Sequence, residues 1–104
     1  MSYCLAYMTA ASVEEAKTIG RALVGEKLAA CVNVIPGMVS VYRWEGALEE
    51  AEEVVLIAKT RAEKFDALAR RVAEIHPYDT PCAIRLDISG GLPPFLDWIA
   101  GETG

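Results

Sequence analysis

The period of the apolar positions changes several times along the chain, and each change marks an element. Tyr3 to Thr9 (YCLAYMT) reads as a buried strand. From Val13 the spacing becomes helical. Val13, Ala16, Ile19, Gly20, Leu23, Val24 and Leu28 keep to one face, with Glu14, Lys17, Arg21 and Glu26 on the solvated one. Ser12, followed three residues on by Glu15, supplies a capping box to open this helix.

Leu28 to Gly46 (LAACVNVIPGMVSVYRWEG) holds two apolar runs separated by Pro36-Gly37. That break predicts strands that fold back or bend at Ile35 to Met38. Alternation in the second run puts Val39, Val41 and Arg43 on one face and Ser40, Tyr42 and Trp44 on the other. Neither is plainly a solvent face, so the ribbon is expected to meet protein on both sides. Glu45 to Glu53 reads as an acidic turn region with solvated charges.

Val54 to Ala58 (VVLIA) is continuously apolar, as in a strand covered on both faces. Thr60 with Glu63 repeats the capping-box pattern and predicts a second helix, with the stripe Phe65, Leu68, Val72 and Ile75. Arg61, Lys64, Arg70, Arg71 and Glu74 face outward. His76-Pro77 ends the helix, since proline disfavours helical geometry in the residue before it. Cys82, Ile84, Leu86 and Ile88 then alternate with Ala83, Arg85 and Asp87, predicting a half-buried strand. Gly90-Gly91 turns the chain, and Pro93-Pro94 begins a short helix bearing Phe95, Trp98 and Ile99.

This order predicts a single domain over residues 1–104, of α/β (α+β) class: a ferredoxin-like sandwich, β-α-β-β-α-β plus a C-terminal helix. Two helices cover only one face of such a sheet. The other would display part of Val54 to Ala58 and of Val32 to Ile35, and an exposed apolar patch of that kind predicts a homo-oligomer.

The net charge of -5 argues against nucleic acid as a partner. No apolar run reaches the roughly eighteen residues of a membrane span. The opening MSYCLAYMTA lacks a basic segment and reads as a strand of a cytoplasmic protein rather than a signal peptide. Cys4, Cys31 and Cys82 are odd in number and far apart, which predicts buried free thiols rather than disulfides or a zinc knuckle.

His76, the only histidine, reads either as a ligand or proton acceptor in a groove, or as a residue favourably placed at a helix C-terminus. Tyr42, Trp44, Tyr78 and Trp98 read as pocket walls or as interface anchors. Glu53 opens an apolar strand and Lys59 closes it. Lys59 could bind an anion, or lay its stem along apolar surface with its head in water. There is neither a Gly-x-Ser-x-Gly elbow nor a Gly-x-x-x-x-Gly-Lys loop, and Cys31 lies in an apolar setting. Nothing points to catalysis or to an organic cofactor.

LAACVNVIPGMVSVYRWEG, followed by VVLIAKT, HPYDTP and FLDWI, resembles the CutA family of divalent-cation tolerance proteins, from about Leu5 to Ile99. The resemblance implies a homotrimer in which the extended central hairpin reaches a neighbouring subunit's sheet, on a plan similar to PII-type signal proteins. It also implies copper or another divalent ion as ligand. Copper-associated members carry a cysteine near the end of the first strand, where this chain has Met8, and paired histidines where it has Ile75 and His76. His76 and Met8, a soft thioether suited to Cu(I), are therefore the implied metal residues. Many members have glutamate where this chain has Cys82, a departure from the pattern; Cys82 is set with Tyr42, Trp44, Glu53, Lys59, Tyr78 and Trp98 at an expected inter-subunit groove or interface. Two functions follow. One is a trimeric binding protein for copper or a similar ion. The other is a PII-like signalling or scaffold trimer that binds a small metabolite or partner protein in its grooves.

Overall fold

A computed structural model describes residues 1–104. In chain order the elements are β1 (Tyr3–Ala10), α1 (Val13–Gly25), β2 (Cys31–Trp44), β3 (Ala47–Arg61), α2 (Phe65–Ile75), β4 (Ala83–Ile88) and α3 (Pro93–Glu102). A single 3-10 turn, Ala62–Lys64, leads into α2. The strands form one sheet in the order β2-β3-β1-β4, with every neighbouring pair antiparallel. This is the expected ferredoxin-like order.

Register decides which side chains face the helices. Cys4, Ala6, Met8 and Ala10 pair with Thr60, Ala58, Leu56 and Val54. These side chains turn towards α1 and α2, and most of them join Ala16, Ile19, Leu23, Leu68 and Val72 in the core. Both helices read correctly from their stripes. At the start of α1 the Glu15 amide donates to Ser12 Oγ at 3.1 Å, and the Glu15 carboxylate accepts from the Ala11 amide. The helix stops at Gly25 rather than Leu28. Lys27 takes φ 61°, and the Leu28 and Ala29 amides turn back to the Leu23 carbonyl.

Four expectations are narrowed or corrected. First, of the two readings of Pro36-Gly37, a fold-back or a bend, the bend holds and the chain does not reverse there. β2 runs on through it as a bulge between Ile35 and Met38, with Gly37 at φ 86°. Pro36 is tolerated because β2 is an edge strand, where a missing amide donor breaks no essential pairing. Second, the acidic stretch is mostly strand. The reversal is the two-residue turn Glu45-Gly46, with φ 48° and 82°, the twist a tight hairpin prefers. Third, Thr60 caps no helix. It lies in β3, where its hydroxyl donates to the Leu28 carbonyl at 2.8 Å, and α2 starts without a side-chain cap.

Fourth, the second sheet face is not left bare along Val54 to Ala58. Val55 is buried and Ile57 half-buried, and α3 lies against the adjoining end of β3, with Phe95 beside Lys59 and Thr103 bonded to the Arg61 guanidinium. Of the expected patch, Ile35 does stay open at 47% exposed, and further apolar surface shows on β4 and along the hairpin. β4 alternates as expected, but its Ile84 and Leu86 are 55% and 46% exposed, so its apolar side is open in the single chain. Ile35, Val39, Val41 and Leu48 along the hairpin are open too.

Candidate functional site

β1 pairs with β3 only over Val54 to Arg61. Beyond Glu53 the hairpin therefore leaves the sheet as an arm, and a cleft of about 520 Å³ forms where it departs. The arm contributes Tyr42, Trp44, Ala51 and Glu53 to the wall. Alternation explains the set. Met38, Ser40, Tyr42 and Trp44 pair with Glu53, Ala51, Glu49 and Ala47, so all share one face of the ribbon. The opposite wall comes from Thr9 and from the α2–β4 loop, through Tyr78, Asp79, Thr80 and Cys82.

Two hydrogen bonds fix that loop. The Tyr78 hydroxyl donates to Glu53 Oε2 at 3.1 Å, tying loop to arm. The Tyr78 amide donates to His76 Nδ1 at 3.1 Å, and the ring's Nε2 lies 2.8 Å from the Thr9 carbonyl. Since Nδ1 accepts, the proton must sit on Nε2 and be donated to Thr9. His76, 7% exposed and tilted against the Tyr78 ring at 4.5 Å between centroids, thus spends both nitrogens on backbone. Burial first, then the bond to Glu53 and the charges of Glu53 and Glu15, push the Tyr78 phenol up to about 12. Burial also raises the Cys82 thiol, with Glu53 adding to it, and the thiol reaches the Tyr7 carbonyl at 3.8 Å.

The structure divides the residues singled out from the sequence. Tyr42, Trp44, Glu53, Tyr78 and Cys82 meet around this one cleft. Lys59 and Trp98 belong to another cluster: Lys59 Nζ donates to Asn33 Oδ1 at 2.8 Å and sits over the Phe95 ring, which packs on Trp98. Met8 lies in the core and His76 has no free lone pair, so neither presents an open donor within one chain. Nowhere in the chain do three His, Cys, Asp or Glu side chains group so as to hold a metal ion, so the chain alone does not fit one. Sequence reasoning missed Thr9, Ala51, Asp79 and Thr80 in the cleft. Asp79 and Thr80 lie inside the HPYDTP stretch and were within reach; Thr9 and Ala51 depend on strand register.

A four-stranded ferredoxin-like sheet with a projecting hairpin and an aromatic, acidic cleft at its root defines the class. Within that class, residues 4–102 match the family model of the CutA1 divalent ion tolerance protein. The chain is 45% identical over 97 residues to the divalent-cation tolerance protein CutA of Thermus thermophilus, covering 93% of this chain and 94% of that one. It is 49% identical over 98 residues to the CutA homolog of Xenopus laevis, covering 94% of this chain and 65% of that protein. The crystal structure of CutA from Xylella fastidiosa superposes with a TM-score of 0.96 at 41% identity, covering both chains fully. The chain belongs to the CutA1 family.

Proposed function

We propose that this protein serves in tolerance of, or response to, divalent cations, as a homotrimer that binds copper or a similar ion weakly near the His76–Cys82 loop. The single observation carrying the reading is the match over residues 4–102 to a family described by divalent ion tolerance. The weakness follows from geometry. One chain gathers no three ligating side chains, and His76 would have to release the Tyr78 amide before it could bind an ion. Calorimetric titration of Cu(II) and Cu(I) into wild type, His76→Ala and Cys82→Ser tests it. Saturable binding that weakens in a variant supports the reading. Heat no greater than that of buffer in the wild type ends it for this protein.

A second reading, a signalling or scaffold assembly that takes a small metabolite, is favoured by the cleft itself. Its volume and its partly aromatic lining suit a small organic ligand. A thermal-shift screen separates the two, since a ligand that binds only the folded state raises its melting temperature. Shifts with metals alone favour the first reading, and shifts with a metabolite the second.

A further inference from the structure

Three of the side chains around the cleft are aromatic, Tyr42, Trp44 and Tyr78, and two are carboxylates, Glu53 and Asp79. No lysine, arginine or histidine is among the lining residues. The face of an aromatic ring is electronegative and attracts a diffuse cation. It contributes nothing comparable to a compact divalent ion, which needs converging lone-pair donors. The charged side chains on its walls are all acidic, and Glu53 acts on both titratable neighbours. Tyr78 and Cys82 are both raised, first by burial and then by Glu53, with no cationic neighbour offsetting either. Tyr42 and Trp44 are 42% and 43% exposed in the single chain, so neither ring is used up by contacts within its own subunit. A volume of about 520 Å³ admits a small molecule.

We propose that this cleft binds a small organic monocation of the alkylammonium class, its charge set against the rings of Tyr42 and Trp44 and balanced by Glu53 and Asp79. A quaternary or highly substituted ammonium fits better than a primary one. Its charge is spread over methyl groups that pack on ring faces, and it loses little hydration on entry. The inference rests on the reading of the cleft as a small-ligand site and is independent of copper binding.

The test is a two-dimensional amide and indole NMR titration of the full-length protein with tetramethylammonium chloride. Two controls run in parallel: tert-butanol, a neutral molecule with a similar cluster of methyl groups, and sodium chloride at matched ionic strength. The inference expects saturable shifts at Tyr42, Trp44, Tyr78 and Asp79, with tert-butanol weaker by about tenfold or more, the scale of one cation–π contact. Glu53→Gln keeps an acceptor for Tyr78 but removes the charge. Trp44→Leu and Tyr42→Leu keep apolar bulk but remove a ring. Each should weaken tetramethylammonium by roughly three- to tenfold while amides outside the cleft stay in place.

Shifts matching those of sodium chloride, or confined to Phe95 and Trp98, overturn the inference. So does tert-butanol binding as tightly as tetramethylammonium, although that result leaves the small-ligand reading standing. Unchanged affinity in Glu53→Gln and in both ring variants overturns it too, whatever the calorimetry with copper returns.

Discussion

His76 shows how a residue's role is set by its hydrogen bonds rather than by its type. From sequence a lone histidine before Pro77-Tyr78 could be a ligand or a helix terminator. In the structure it fastens the end of β1, through the Thr9 carbonyl, to the loop that carries Tyr78. His76→Ala would leave a backbone donor and a backbone acceptor without partners in a nearly closed site. A loss of about 1–3 kcal/mol in unfolding free energy is expected, read from urea denaturation. A nitrogen-15 spectrum of the ring should show the proton on Nε2. Tyr78 gives a second prediction. Its phenol titrates near 12 instead of the ordinary 10, so the folded state holds that proton more tightly than the unfolded chain does. The associated stability is whole below pH 10 and is lost as the pH rises towards about 12. Tyrosinate absorbance followed against pH should show a late-titrating component that is lost in Tyr78→Phe, and Glu53→Gln should bring it earlier.

The elements were legible wherever a local pattern had a single solution. The stripes of α1 and α2 and the alternation of β4 were of that kind, and so was the division of the arm into a valine face and an aromatic face. The misreadings, and the choice left open at Pro36-Gly37, share a cause: each concerned a signal whose meaning depends on tertiary partners. Pro36-Gly37 usually turns a chain, but on an edge strand it can pass as a bulge, and an edge is a property of the whole sheet. Thr60 and Glu63 have capping-box spacing, yet the Thr60 hydroxyl is claimed by Leu28, far away in sequence. The cleft was half legible, because five of its residues stood out by type while its shape needed the register of the arm.

The true turn carries its own test. Gly46 sits at φ 82°, where a side chain is strained, so Gly46→Val should cost about 1–2 kcal/mol in urea unfolding. Glu45, at φ 48°, is a non-glycine residue in the same region. Glu45→Asn should stabilise by about 0.5 kcal/mol on the same measurement, because asparagine accepts that conformation readily.

At the scale of the whole molecule, the chain extends 45 Å along one axis and 24 and 22 Å along the others, because the arm stands away from the sheet. Ala47 to Glu53 pairs with β2 alone, leaving the other edge of β3 bare. A two-stranded ribbon is marginal in water on its own, and unpaired edges invite another chain. The arm also shows Val39 and Val41 to solvent, and β4 shows Ile84 and Leu86. Self-association would cover all of these features, and the homotrimer proposed above is the central claim to test. Light scattering coupled to size-exclusion chromatography tests it most directly. The account predicts a species of three times the 11.3 kDa chain mass, and its loss or marked weakening in Val41→Asp, whose side chain is 61% exposed in the single chain. A well-behaved monomer of 11.3 kDa, folded and unchanged by Val41→Asp, would contradict it.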